Sequence, residues 1–258
     1  MALRINTNVS ALNAHAQLLK TESSMNSSMA KLSSGYRINN AGDDASGLVI
    51  ANGLRANIRA LNVAAQNTIQ GRSSLGSYEG NANQIEGILE RMKEVAAKGG
   101  SGTALAASDA ELATLKLEID RIAGSGGVTT AQTITFQVGA DASVNSQVAV
   151  TVGGMDTTAL GLTATLSGIN SIAAISAAID TIGSTLGAIG AGMNRLDVTY
   201  SNLQTEIVNK SAAESAIRDV DMASEMVNFT KSQIMMQAGT AMLAQANTSS
   251  QNILTLFR

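Results

Sequence analysis

The 258-residue chain has no proline, no cysteine and no tryptophan, and it has a single histidine. Proline interrupts helix interiors because it lacks an N–H and its ring clashes with the preceding turn, so its absence permits very long helices. Without cysteine there is no disulfide, no thiolate nucleophile and no cysteine-based zinc site. With His15 as the one histidine, neither a Ser–His nucleophile system nor a multi-histidine metal site can be built within one chain. Aromatic residues make up 2% of the chain, too few to dominate a core. Ile, Leu, Val, Met and Ala must fill it instead, which suits narrow seams between close-packed helices.

What is present is apolar and only lightly charged. Apolar residues make up 45% of the chain, enough for a substantial core in one or two domains. The net charge is -3 with 14% charged residues, and no basic patch points to nucleic acid. The start, Met1-Ala2-Leu3-Arg4-Ile5-Asn6, lacks the continuous apolar core of a secretory signal. No run of ~18 apolar residues reads as a membrane span, so no membrane partner is expected. On these grounds alone the chain would be placed in the cytoplasm.

The most regular pattern lies late. From Ile172 through Ile175, Ile179, Ile182, Leu186, Ile189, Met193, Leu196, Tyr200 and Leu203 to Ile207, apolar residues alternate steps of three and four. Such a repeat keeps one stripe facing a partner helix. At ~1.5 Å per residue this helix runs roughly 50 Å. Gly183, Gly187, Gly190 and Gly192 interrupt it without shifting its phase, which points to close approach of a neighbouring helix. The stripe stops at Lys210, and Ser211 with Glu214 matches a capping box that would open a new helix. That last helix carries Ile217, Val220, Val227, Ile234, Ala238, Met242 and Ile253, and it is rich in methionine, which tolerates several packing partners.

The N-terminal half mirrors this. Ile5, Val9, Leu12, Ala16 and Leu19 form a stripe, and Met25, Met29, Leu32 and Tyr36 resume it in another phase. After a polar break at Asn39 to Asp44, Leu54, Ile58, Leu61 and Ala65 restart a helix, which Tyr78, Ala82, Ile85, Leu89, Met92 and Ala96 extend. Lys98 to Gly102 reads as a loop, and Leu112, Leu115, Ile119 and Ile122 as a third helix ending at Gly124 to Gly127. Only the middle changes period: Ile134, Phe136 and Val138, then Val148, Val150 and Val152, alternate with polar residues as strands do. The expected fold is mainly α, a long antiparallel coiled-coil-like helical rod formed by the N- and C-terminal segments. A small central β-hairpin is expected at about residues 133–153. The two terminal stripes need partners, and each is the other's expected one.

Several segments resemble bacterial flagellins. They are Leu3-Arg4-Ile5-Asn6-Thr7-Asn8, Leu32-Ser33-Ser34-Gly35-Tyr36-Arg37-Ile38-Asn39, Ala41-Gly42-Asp43-Asp44-Ala45-Ser46-Gly47, Ala216-Ile217-Arg218-Asp219-Val220-Asp221-Met222-Ala223 and the end Gln251-Asn252-Ile253-Leu254-Thr255-Leu256-Phe257-Arg258. The resemblance covers roughly residues 1–123 and 170–258, and Phe136-Gln137-Val138-Gly139-Ala140 is similar to a short β motif of the family. It implies a subunit that polymerises into the flagellar filament for swimming motility; a hook–filament junction protein is the alternative. Residues 1–42 with 216–258 would form the inner helical domain, and 43–215 the rod with its hairpin. Ile5, Val9, Leu12, Leu19, Ile234, Met235, Met242, Ile253 and Leu256 would lie on the inner-domain polymerisation helices. The chain has no room for large outer domains. Flagellins leave the cell through the flagellar type III export channel without a cleaved signal, so the resemblance moves the expected location outside the cell. Implied partners are further copies of the chain, the flagellar cap, hook–filament junction proteins and an export chaperone. One family feature, a Phe-Asn-Gly turn after the third helix, is absent: Arg121-Ile122-Ala123 runs into Gly124-Ser125-Gly126-Gly127.

No catalytic residues, cofactor or metal site are expected, and the chain reads as a non-enzyme. Some flagellin relatives carry a protease in the central insert, but residues 124–169 hold no histidine or cysteine and are short. Asp43-Asp44 is better explained by the negative charge favoured at a helix N-terminus than by calcium. Gly71-Arg72-Ser73 lacks the Gly-Lys-Ser/Thr of a phosphate loop. Glu90, Arg91, Val95 and Glu111 resemble, by position, the flagellin surface that contacts the next subunit axially and that a host Toll-like receptor reads in some flagellins. Val95 stands where receptor-recognised flagellins typically have Leu. From the residues alone, Glu90-Arg91 and Lys93-Glu94 form a charged, solvated helix face. Asn8-Val9-Ser10 and Asn228-Phe229-Thr230 match glycosylation sequons but lie on helical stripes.

Overall fold

In a computed structural model, the described residues are 8–98, 103–141, 143–162 and 171–256, with backbone alone for residues 103–105, 144 and 250–256. The elements run α1 (Val9–Ser34), α2 (Ala45–Lys98), α3 (Thr103–Gly126), β1 (Gln132–Gln137), a single 3-10 turn (Val144–Ser146), β2 (Gln147–Val152), α4 (Ser171–Arg218) and α5 (Met222–Leu256). The protein is mainly α with one small antiparallel hairpin. Helices of 54 and 48 residues are what a proline-free sequence allows.

Each helix boundary has a local cause. Asn8 caps α1, its side-chain oxygen accepting the N–H of Ala11 at 3.1 Å. Gly35 ends α1 in the left-handed region (φ +73), its N–H donating to the Lys31 carbonyl. Asp44 caps α2 by accepting the Gly47 N–H at 2.8 Å, the helix-start role expected of the acidic pair. At the end of α3, the Val128 N–H donates to the Ala123 carbonyl and the Gly127 N–H to the Gly124 carbonyl, with Gly127 at φ +68. This 6→1 and 5→2 pair is a Schellman cap, with apolar Val128 wholly buried behind it. The chain turns there on glycine, without the family's usual turn.

The hairpin pairs Ile134 with Val150 and Phe136 with Val148. Val148, Val150 and Val152 are buried, while Thr133 and Thr151 meet on the other face with hydroxyls 3.1 Å apart. Period-two alternation thus turns one face to the core.

Two compact units divide the chain. One comprises residues up to Ala56 and from Lys210 on; the other comprises Asn57–Asn209. The core of the second unit joins Ile85, Leu89 and Met92 of α2, Leu112 and Ile119 of α3, the valines of β2, and Ile175, Ile182, Ile189 and Leu196 of α4. A smaller cluster sets Leu61, Ala64 and Ala65 against Leu203. The α4 stripe read from the sequence is therefore a core stripe. By length and mean hydropathy, 1.6 over its most apolar window, α4 is the one described helix that passes for a membrane span. Ile175, Ile182, Ile189 and Leu196 are nonetheless buried in this core. Asp156–Leu162 is a turn in which Leu160 and Leu162 are buried, as is Met155 just before it. Asp120 anchors it by accepting the N–H (2.9 Å) and hydroxyl (3.0 Å) of Thr157. Gly99–Gly102 of the expected loop and residues 163–168 lie outside the described residues.

Two expectations are corrected. Ser211 and Glu214 open no helix: α4 continues to Arg218, and α5 starts after Asp221, whose Oδ1 accepts the N–H groups of Ala223 and Ser224. Glu214 is taken up by Arg55 at 2.7 Å instead of by a cap. Of the four α4 glycines, only Gly192 marks close approach. A Cβ there would lie 2.7 Å from Val150 Cγ2, whereas at Gly183, Gly187 and Gly190 it would meet nothing within 4 Å.

Candidate functional site

In the unit made by the chain ends, α1 and α5 run antiparallel. Asn8 Nδ2 donates to the Ala246 carbonyl at 3.0 Å at one end of the pair. At the other, Tyr36 and Asp219 form an isolated antiparallel bridge. The Val220 N–H reaches the Gly35 carbonyl at 3.1 Å, and the Arg37 N–H reaches the Arg218 carbonyl at 2.6 Å.

Between those ends the buried and half-buried positions define a seam. On α1 they are Ala11, Ala14, Leu18, Thr21, Met25, Ser28 and Leu32, with Lys31 half-buried near its end; on α5 they are Phe229, Ser232, Met236, Gly239, Leu243 and Ala246, with Glu225 half-buried near its start. Large and small residues alternate on α5 and, from Ala14 on, along α1, so a large side chain of one helix can enter where the other is small. Leu18 lies against Gly239 in this way. Small polar residues tolerate the seam because they bond locally: the Thr21 hydroxyl donates to the Gln17 carbonyl at 2.9 Å.

Of the stripes expected to pair with each other, Met25 and Leu32 lie in this seam, but Val9, Leu12 and Leu19 of α1 and Ile234 and Met242 of α5 do not. Leu12, Ile234 and Met242 are 63%, 60% and 63% exposed, and Val9, Leu19 and Met235 are exposed as well. The physical reason is helix approach. The seam face intersperses alanine, glycine, serine and threonine with its large residues, so the backbones can come close, whereas the second stripe, with Leu12, Leu19, Ile234 and Met242, is left on the far side. Met226, Val227, Thr230, Lys231, Ile234 and Met235 line a shallow, largely apolar groove on α5. Ile5 lies outside the described residues, and so do the side chains of Ile253 and Leu256.

A polar joint closes this unit. Glu214 pairs with Arg55 at 2.7 Å and lies 4.0 Å from Arg218 Nη1. The Arg218 guanidinium lies over the Tyr36 ring, 4.2 Å from its centre. Arg37 Nη2 donates to the Ile217 carbonyl at 2.6 Å. In the neighbouring loop, Asp43 accepts the N–H groups of Asn40 and Asn39, which holds its carboxyl below the ordinary aspartate value. Sequence reading missed the Arg55–Glu214–Arg218–Tyr36 group. Tyr36 and Arg218 stand inside the segments singled out, but no spacing links Arg55 to a residue 159 positions away.

In the other unit, Glu90, Arg91 and Glu111 are exposed. Arg91 bridges α2 and α3, with Nη2 2.9 Å from Glu111 Oε1 and Nη1 3.0 Å from Glu94 Oε2. Hydrogen bonding to Glu111, then to Glu94, strengthens its hold on its proton. Val95 is not on this face: it is 4% exposed and packs in the core. Among the described residues, no group of three acidic or imidazole side chains is placed to hold a metal ion.

The chain matches two family models. One describes the bacterial flagellin N-terminal helical region, over residues 5–133, and the other the bacterial flagellin C-terminal helical region, over residues 172–257. It is similar to the flagellin of Bacillus subtilis (strain 168), 37% identical over 99% of this chain and 100% of that one. It is also similar to the flagellin of Halalkalibacterium halodurans, 38% identical over 98% of this chain and 99% of that one. A flagellin of Treponema pallidum (strain Nichols) is 35% identical over 98% of this chain and 99% of its own length.

Proposed function

Because the chain belongs to the bacterial flagellin family and is a structural subunit of the flagellar filament, we propose that it polymerises through the outward faces of α1 and α5. The observation that carries this reading is an inversion of ordinary burial. Thr21, Ser28 and Ser232 are buried between the helices, while Leu12, Leu19, Ile234 and Met242 face solvent. Exposed apolar stripes of this kind mark interaction surfaces. Fully burying each such side chain contributes roughly 1.5–3 kcal/mol. A contact in which different faces of successive copies meet produces a helical polymer where its rotation does not close into a ring. By spacing, Ile5, Ile253 and Leu256 extend the same stripes.

The filament is an extracellular appendage. Export through the flagellar type III channel without a cleaved signal, capture by the cap and the junction proteins, and escort by an export chaperone complete the proposal. The exposed Met and Ile side chains of α5 support the chaperone, since an uncovered apolar helix face aggregates. The exposed Arg91–Glu111 pair beside Glu90 supports an axial contact between copies. The same patch is the surface a Toll-like receptor would read, through Glu90, Arg91 and Glu111 and not through buried Val95.

Leu12→Asp and Ile234→Asp test the assembly faces. Each is expected to leave the monomer's helical circular dichroism unchanged and to abolish filaments in electron micrographs and sedimentation assays. Filaments of normal length and yield from both variants would refute the proposal.

A further inference from the structure

Five of the eleven methionines lie on α5. Met222, Met226, Met235 and Met242 have exposed side chains there, as does Met29 on α1. Met226 and Met235 line the shallow α5 groove beside Val227 and Ile234. By contrast, Met92 and Met155 are wholly buried in the other unit, and Met25 and Met236 are half-buried in the α1–α5 seam. Among the described residues, the thioethers most open to a dissolved oxidant are thus concentrated on the helix pair whose outer faces are apolar. The chain has no cysteine, so no thiolate competes for that oxidant.

We propose that Met29, Met222, Met226, Met235 and Met242 form a peroxide-sensitive modification site of the free subunit, whose oxidation blocks polymerisation and whose burial in the filament protects it. This rests on the reading of the outer faces of α1 and α5 as the assembly surface. In the reaction the sulfur lone pair attacks one oxygen of hydrogen peroxide. The S–O bond forms as the O–O bond breaks, and proton transfer gives methionine sulfoxide and water. Sulfur loses two electrons and peroxide gains them. A flexible apolar side chain becomes a polar one with a strong acceptor oxygen. Seating that oxygen in an apolar contact without a donor is unfavourable, so an oxidised subunit should fail to add. Reduction of the sulfoxide restores the thioether, which makes the block reversible.

The experiment treats the full chain with hydrogen peroxide, once as monomer and once as preformed filaments. Peptide mass spectrometry then gives sulfoxide at each methionine, and sedimentation gives seeded polymerisation. In the monomer the five exposed positions should oxidise well ahead of Met92 and Met155, and in filaments they should be protected at least tenfold. Oxidised monomer should polymerise at least tenfold less, and methionine sulfoxide reductase with a thiol reductant should restore it. A variant with leucine at all five positions should fold, polymerise and keep polymerising after peroxide. If that variant does not assemble, reductase rescue of the unmodified chain decides instead. The proposal is overturned if oxidised monomer polymerises normally, if the leucine variant assembles yet loses assembly to peroxide equally, or if reductase treatment restores nothing. If Leu12→Asp and Ile234→Asp assemble normally, the assembly-face reading itself has failed. If they are blocked while oxidised monomer assembles, only this inference has failed.

Discussion

Leu18 of α1 sits on Gly239 of α5 so closely that a Cβ on the glycine would lie 3.1 Å from Leu18 Cγ. This contact shows why the seam uses small residues. Gly239→Leu should overpack it, at a cost of about 1–3 kcal/mol. Hydrogen exchange should then speed up across α1 and α5 while amides of residues 57–209 keep their protection. Unchanged protection in α1 would show that the seam is not close-packed at Gly239.

The α4 glycines separate into two kinds. Gly187→Ala fills open space and removes the helix penalty of glycine, so stability should rise by up to ~1 kcal/mol. Gly192→Ala drives a methyl to within 2.7 Å of Val150 Cγ2 and 3.4 Å of Leu75 Cδ1, so it should lose about 1–3 kcal/mol despite the same gain in helix propensity. Denaturant midpoints of the two variants should move in opposite directions; a shift of equal sign would contradict the packing at the hairpin.

Glu214 faces two arginines, Arg55 at 2.7 Å and Arg218 at 4.0 Å. Glu214→Gln keeps the shape and removes the charge. With the partners 13% to 32% exposed, the discounted loss is about 1–2 kcal/mol. A double-mutant cycle with Arg55→Met should show coupling between the two positions. Additive losses would mean that the pair contributes nothing beyond its members.

The Asp43 carboxyl is lowered chiefly by the Asn40 N–H, then by that of Asn39. A depressed carboxylate stabilises the loop above its ordinary value of 3.8 and loses that contribution as pH falls through the lower, folded value. The Asn39 and Asn40 amide resonances should therefore titrate with a midpoint below 3.8, and Asp43→Asn should abolish the transition. A midpoint at or above the ordinary value would show that these hydrogen bonds do not hold in solution.

Much of the fold is legible because hydrophobic period maps directly onto element type. The unbroken heptad from Ile172 to Ile207 is the core stripe of α4, and the alternation at Ile134, Phe136, Val148, Val150 and Val152 is the hairpin. The end of α4 was not legible. Ser211 and Glu214 satisfy the pattern of a cap, but a helix continues through such a pattern when the glutamate has a better partner, and Arg55 supplies one. The joint at Tyr36, Arg55, Glu214 and Arg218 joins residues that no local spacing connects.

The sequence by itself determined that the chain ends are long helices with apolar stripes, that the chain carries no thiol and a single imidazole, and which family the motifs resemble. Only the tertiary structure decided which stripe of α1 and α5 faces inward. Periodicity measures how apolar residues recur along a helix, and each of these helices carries two candidate faces at the same spacing. The choice falls to close packing: the face on which large residues alternate with Ala, Gly, Ser and Thr lets each large side chain enter where the other helix is small, with Leu18 seated on Gly239, and so Leu12, Ile234 and Met242 are left outside.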